Sequence, residues 1–363
     1  MQDLQFKNSD IPLSSDPQPK HLLALTETEL YAWLSEHGQP AYRGPQILSW
    51  IYQRRAESFD DMSNLPKSLR EELARDFRIW SATIAARQSA DDGTEKLLLD
   101  LADRGRIECV LLRDGLRRSI CVSSQVGCAM GCVFCASGLD GVDRNLTSGE
   151  ILEQMLRLQR MLAADERLSH IVMMGMGEPL ANLPNVIAAL EVAKNPGGLG
   201  ISPRRITIST VGLPPAIDRL SRHQTPFNLA ISLHAPNDEL RTRLVPVNKN
   251  IGIDEILAAA DRYFDTTGRR LTFEYVLLAE LNDSASCARQ LVKLLRDRSS
   301  MLNVIPYNPV AGLPYETPSQ VSIRTFRKIL TDGGINVQFR ERKGDRIQAA
   351  CGQLRRLRIP FQQ

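Results

Sequence analysis

The strongest constraint on the fold is a strand-then-helix rhythm running through the last two thirds of the chain. Short runs rich in β-branched and apolar residues fall at 120–124, 170–174, 205–209, 228–233, 272–277, 302–306 and 336–341. Stretches of helical period separate them, at 148–162, 184–195, 214–222, 253–266, 284–296 and 322–333. Strands that alternate with helices form parallel β/α units with right-handed crossovers. Six units in about 200 residues are too few to close an eight-fold barrel. The spacing therefore predicts an α/β fold with a partial (β/α)6 barrel over 119–315. Functional residues of such folds sit where strands end.

The loop after the first of these strands reads Cys-Ala-Met-Gly-Cys-Val-Phe-Cys, with Cys128, Cys132 and Cys135 spaced C-x3-C-x2-C. Three thiolates this close can hold three irons of a cubic iron–sulfur cluster and leave the fourth iron open, where four cysteines are the usual complement. Structural zinc asks for four ligands, usually as two close pairs, and the chain has no second pair. A disulfide framework does not suit seven cysteines in 363 residues. Other strand ends carry Gly177, Ser209, His234 and Asn308.

Upstream, residues 1–20 hold few large apolar groups and are expected to be disordered. Residues 21–82 read as a helical accessory domain. Thr26 and Glu29 form a capping-box signal, and Leu30, Trp33 and Leu34 share one helix face. Gly38 and Pro40 end that helix. Ile47, Leu48, Ile51 and Tyr52 mark a second, and Asn64-Leu65-Pro66 introduces a third with Leu69, Leu73 and Phe77. Residues 83–118 read as a β extension of short strands broken at Asp91-Asp92-Gly93 and Asp114-Gly115. Residues 316–363 form a C-terminal β/α segment and tail. Net charge is +3, yet residues 340–363 alone carry seven basic residues against two acidic ones, which suits a polyanionic partner. No apolar run reaches bilayer length, and the first residues lack a basic-then-apolar signal pattern. Seven cysteines without an export signal point to a reducing compartment, the cytoplasm.

Five blocks sharpen this reading: Cys-Val-Ser-Ser-Gln-Val-Gly-Cys (121–128), Met-Met-Gly-Met-Gly-Glu-Pro-Leu (173–180), Ile-Ser-Leu-His-Ala-Pro-Asn-Asp-Glu (231–239), Ile-Pro-Tyr-Asn-Pro (305–309) and Ala-Ala-Cys-Gly-Gln-Leu (349–354). Together they resemble the RlmN/Cfr family of radical S-adenosylmethionine RNA adenine methyltransferases, most of all RlmN. Tyr-Arg-Gly-Pro-Gln-Ile (42–47) and Phe-Asp-Asp-Met (59–62) resemble that family's accessory domain. The resemblance covers nearly everything after residue 20. It implies a [4Fe-4S] cluster on Cys128, Cys132 and Cys135. It implies S-adenosylmethionine, two molecules per turnover, held by Gly177, Glu178, Ser209, Ser232, Leu233, His234 and Asn308.

The implied reaction needs more than a radical. Adenine C2 and C8 do not attack a sulfonium methyl group. In the family a cysteine, here Cys351, first takes a methyl from one S-adenosylmethionine. A 5′-deoxyadenosyl radical from the second removes a hydrogen from it, and the resulting carbon radical adds to the base. Glu108 matches the proton acceptor. Cys121 then forms a disulfide with Cys351 and releases the product. Without the resemblance, Glu108 reads as a surface carboxylate and both cysteines as small buried hydrophobes, as Cys109 and Cys287 still do. The resemblance further implies 23S rRNA, and possibly tRNA, as substrate, an external electron donor such as flavodoxin or ferredoxin, and a monomer. Methylation of C2 at the peptidyl-transferase centre, and of the adenosine 3′ of the anticodon in some tRNAs, is the leading reading. Cfr-like C8 methylation, which confers antibiotic resistance, shares every motif. Arg43, Arg54, Arg55, Arg117, Arg118, Arg204, Arg205, Arg269, Arg270 and the basic tail are candidate phosphate contacts.

Overall fold

The structure, a computed structural model, describes residues 19–340, 343–344 and 347–355. The segment expected to be disordered lies outside them except for its last two residues, as do Arg342, Arg346, Arg356 and Arg358 of the basic tail.

Three helices fill the N-terminal region: α1 (Glu27–Glu36), α2 (Arg43–Tyr52) and α3 (Lys67–Asp76). A short parallel pair, β1 (Lys20–His21) with β2 (Phe77–Arg78), ties its two ends together. The capping box of α1 forms as its sequence predicts, with the Glu29 N–H donating to Thr26 and the Thr26 N–H to Glu29. Leu30, Leu34, Ile47, Met62, Leu69 and Leu73 are fully buried and make this region's core.

The rest is built on one large sheet. It begins with β3 (Thr83–Ser89), β4 (Glu95–Asp100), β5 (Arg106–Asp114) and β6 (Arg117–Cys121). A small hairpin, β7 (Gln125–Gly127) and β8 (Val142–Asn145), and helix α4 (Ser148–Arg160) follow. The chain then runs β9 (His170–Met173), α5 (Leu183–Lys194), β10 (Ile206–Thr210), α6 (Pro214–Ser221), β11 (Asn228–Ser232), α7 (Asp238–Leu244) and α8 (Ile253–Thr267). It ends β12 (Leu271–Leu277), α9 (Ala285–Leu295), β13 (Ser300–Pro306), α10 (Gln320–Asp332) and β14 (Val337–Phe339). The sheet order is β14-β13-β12-β11-β10-β9-β6-β5-β4-β3. From β6 to β14 all neighbours are parallel, and β3 to β6 are antiparallel. Among the described residues nothing pairs β14 with β3, so the sheet stays open, as six units predict. The antiparallel strands are continuous with the barrel rather than a separate layer.

Register decides which residues face the site. Alternate side chains of a strand point to opposite faces. Ile120, Ile171, Ile206, Ile208, Leu229, Ile231, Phe273 and Leu302 fall on one face through their strand pairings and are essentially unexposed. Burying each such side chain is worth roughly 1.5–3 kcal/mol, and a one-residue slip would turn the whole row over. The same pairings put Lys96, Glu108, Cys121, Ser209, Ser232, Glu274 and Asn303 on the other face. The sheet thus has an apolar outer face and a chamber face studded with polar groups.

Helix α7, the β7–β8 hairpin and the β1–β2 pair were not expected from sequence. Helix α7 has only seven residues and two buried leucines, Leu240 and Leu244, too short for a period to show. The strands of the β7–β8 hairpin have three and four residues. Among the described residues, no helix is long and apolar enough to cross a membrane.

Candidate active site

The cysteine loop is framed at both ends. Cys128 follows β7 directly, and its N–H donates to the Gly141 carbonyl at 2.8 Å. Gly127 takes φ +80, and a Cβ there would lie 2.1 Å from the Gly141 oxygen; only glycine lets the hairpin close. Inside the loop, the Val133 N–H donates to Leu244 O and the Cys135 N–H to Cys132 O, both at 3.1 Å. The three thiols are partly buried and free, and close enough that Cys132 feels the charge of Cys128 and Cys135, and Cys128 that of Cys135. Burial pushes Cys128 up to about 12 and raises Cys132 and Cys135 as well. Among the described residues, no three His, Cys, Asp or Glu side chains converge on the position of a single ion. Three soft thiols, each bound to its own iron, need no such point, so the donor set fits a cluster.

Strand ends surround the loop. After β9 the chain passes through Gly177 at φ +97, where a Cβ would lie 2.5 Å from that of Gln125. Gln125 accepts the Glu178 N–H at 2.8 Å and fixes this turn. The Glu178 carboxylate is buried and accepts the N–H groups of Leu180 (3.0 Å) and Val211 (2.8 Å). Burial pushes it up to about 7 against these bonds. Ser209 and Ser232 lie half-buried on the chamber face. Leu233 and His234 both donate main-chain N–H groups to the Glu274 carbonyl. His234 accepts the Val276 N–H on Nδ1 at 3.1 Å, and burial pushes its ring down to about 3. Asn308 is buried; its amide donates to the Cys351 carbonyl at 3.4 Å, while its Oδ1 has no partner among the described residues. A buried acceptor left unpaired is costly, and a donor on a bound cofactor would complete it.

The C-terminal segment brings the remaining residues in. The Ala136 N–H donates to Gly352 O at 2.8 Å, and the Ser137 hydroxyl to Leu354 O at 2.7 Å. These bonds lay Cys351 beside the cysteine loop. Cys121, at the end of β6, is buried; burial pushes its thiol up to about 12, and the charge of Cys351 acts in the same direction. Glu108 is 3% exposed on β5. Its two oxygens take Lys96 Nζ and the Arg355 N–H, both at 2.8 Å. Burial raises its pKa, and these two donors oppose the rise. Every residue singled out from sequence as catalytic, cofactor-binding or metal-ligating thus lies on or beside the chamber face.

Three buried polar residues on this face, Lys96, Glu274 and Asn303, escaped sequence reading, and half-buried Arg340, read there only as part of the basic tail, joins them. Arg340 donates to the Cys351 sulfur at 3.5 Å. Its charge also acts on Glu274, which burial pushes up to about 7 and which accepts from Asn303 at 2.7 Å. Arg241, likewise unread, is fully buried and ties strand ends together by donating to Leu233 O (3.1 Å), Val211 O (2.6 Å) and Ser232 O (3.0 Å). The available signal was a charged residue inside an apolar strand, as in Lys96-Leu97-Leu98-Leu99. Several candidate phosphate contacts are otherwise engaged. Arg55 donates to Leu162 O, Ala163 O and Glu166 O, Arg118 pairs with Glu166, and Arg269 donates to Pro226 O.

Comparison with known proteins identifies the family. The radical SAM superfamily model matches residues 122–286, and that of the ribosomal RNA large subunit methyltransferase N-terminal domain matches residues 20–79. A Rhodopirellula baltica protein named "Probable dual-specificity RNA methyltransferase RlmN" is 67% identical over 345 residues, 95% of this chain and 93% of that one. A Moorella thermoacetica protein of the same name is 46% identical, over 92% of this chain and 96% of the other. The crystal structure of a radical SAM methyltransferase from Sphaerobacter thermophilus matches with a TM-score of 0.90 at 44% identity, covering 93% of this chain and 99% of that one. The chain belongs to the RlmN family of radical S-adenosylmethionine RNA methyltransferases.

Proposed function

We propose that this enzyme methylates C2 of an adenosine at the peptidyl-transferase centre of 23S rRNA, and C2 of the adenosine 3′ of the anticodon in some tRNAs. The RlmN name and dual specificity of its relatives support C2 over C8. The observation that carries the reaction type is the gathering of Cys121, Cys351 and Glu108 beside the cysteine loop. Cys128, Cys132 and Cys135 hold a [4Fe-4S] cluster. Gly177, Glu178, Ser209, Ser232, Leu233, His234 and Asn308 hold S-adenosylmethionine, two molecules per turnover. Bound there, these groups supply a carbon-centred radical able to take hydrogen from a methyl group.

The chain's own residues do the rest. Cys351 accepts the methyl group as a thioether and presents it to the base. Arg340, donating to that sulfur, suits a nucleophile that reacts as thiolate. Glu108 takes the ring proton, which a general base must reach within hydrogen-bond distance. Cys121 keeps its proton at neutral pH because burial raises it; it pairs with Cys351 in a disulfide as product leaves, and external reductant restores both thiols. A small electron-transfer protein such as flavodoxin or ferredoxin serves as donor, and the enzyme works as a cytoplasmic monomer. The target base leaves its stack to reach the chamber. Mass analysis of nuclease-digested 23S rRNA from a deletion strain tests the reading. Loss of 2-methyladenosine is expected, and its persistence overturns the proposal.

A further inference from the structure

Lys96 and Glu108 form an ion pair whose side chains are 6% and 4% exposed. A lysine is seldom sealed away unless it is paired. The same ammonium donates to the Gln348 carbonyl at 3.1 Å, and the free oxygen of Glu108 accepts the Arg355 N–H. Gln348 and Arg355 flank Cys351 on either side. Gln348 takes φ +53, a left-handed torsion uncommon outside glycine. The ion pair therefore grips both ends of the segment that carries Cys351.

We propose that Lys96 is a positioning residue of the methyl transfer: it keeps Glu108 ionised as the proton acceptor and, through Gln348, fixes the Cys351 segment against it. This rests on the role given to Glu108 above. The ring proton goes to a Glu108 oxygen, which has lone pairs beyond those used by Lys96 and Arg355; the ammonium keeps its own protons. Among the described residues, the titratable and charged groups around Glu108 are Lys96 from β4, Cys109 beside it on β5 and Arg355 on the C-terminal segment. Remove the ammonium, and burial acts on the carboxyl with only one N–H opposing it. The neutral acid is then favoured, and a neutral acid accepts no proton.

The test compares Glu108→Gln, Lys96→Met, Lys96→Gln and Lys96→Arg in the cluster-loaded full chain with RNA. Single turnovers are divided into covalent protein–RNA adduct and released methylated RNA, across roughly pH 6 to 9. Glu108→Gln is expected to stall as adduct at every pH. Lys96→Met is expected to stall near neutral pH, with release slowed on the order of a hundredfold, and to recover as pH rises. Lys96→Gln, which keeps a donor for Gln348 without the charge, should behave the same way and carries the test if Lys96→Met does not fold. Lys96→Arg keeps the parent's pH profile. In the cluster-free protein, infrared spectra referenced to Glu108→Gln should show a protonated carboxyl in Lys96→Met at neutral pH and none in the parent. If Glu108→Gln turns over normally, the acceptor role itself fails. If Glu108→Gln stalls while Lys96→Met and Lys96→Gln keep the parent's partition and pH profile, Lys96 alone is wrongly assigned. Equal loss of Cys351 methylation, adduct and release, with no recovery at high pH, also overturns the inference, because that is how a merely structural residue behaves.

Discussion

At the residue scale, His234 illustrates how position fixes a protonation state. Its backbone takes φ +58, its Nδ1 accepts the Val276 N–H, and the Phe134 ring meets it edge-on at 4.9 Å. An Nδ1 that accepts leaves the proton on Nε2 and the ring neutral. Burial holds the native ring near 3, whereas the unfolded chain titrates near 6.5. Between these values the unfolded state binds more protons, so His234 contributes stability that is fully present above 6.5 and is lost as pH falls toward 3. Asparagine tolerates this torsion and can accept the same N–H. Between pH 7 and pH 5, the parent should therefore lose about 2 kcal/mol more stability than His234→Asn. Urea unfolding at the two pH values measures it, and equal losses would refute the assignment. The Ser-Leu-His-Ala-Pro block marked His234 for function in the sequence, but neither its tautomer nor its torsion can be read there, since both depend on the neighbouring strand.

At the scale of elements, the β/α rhythm was legible because each unit is long enough to show a period. The chamber face was not. Lys96 meets Glu108, and Glu274 meets Asn303, only through strand pairing, and register is a property of two strands at once. Glu108, Cys121 and Cys351 were singled out by resemblance rather than by any pattern of the chain. The short hairpin that launches the cysteine loop left no periodic trace, yet it sets where Cys128 begins. A Cβ at Gly127 would run into the Gly141 oxygen at 2.1 Å. Gly127→Ala should cost roughly 1–3 kcal/mol through its torsion and contact and move Cys128 off its bond to Gly141. Reconstituted Gly127→Ala should hold well under half of the parent's iron and sulfide. Full iron content would show that the hairpin does not govern the cluster loop.

At the scale of the whole molecule, the accessory domain is seated on α4 by buried charge rather than by sequence proximity. Glu153 on α4 is 1% exposed; it accepts the Ser81 N–H (2.8 Å) and hydroxyl (2.6 Å), the Ala82 N–H (3.1 Å) and Arg157 Nε (3.0 Å). Arg55, which the sequence offers as a phosphate contact, serves the same joint. Glu153→Ala strands those donors and should cost about 3–5 kcal/mol. Limited proteolysis should then cut near the joint, and RNA methylation should fall while methylation of Cys351, which needs no RNA, persists. A parallel fall in both would mean that the joint supports the barrel itself. The grip on the Cys351 segment has a bearing on how this sequence can drift. It is made through main-chain atoms of Gln348 and Arg355, so neither side chain is under selection for it. Position 355 is open to every residue but proline, which has no N–H to give. A lineage can therefore rewrite the surface chemistry of this strap while the buried Glu108 carboxylate beneath keeps its partners.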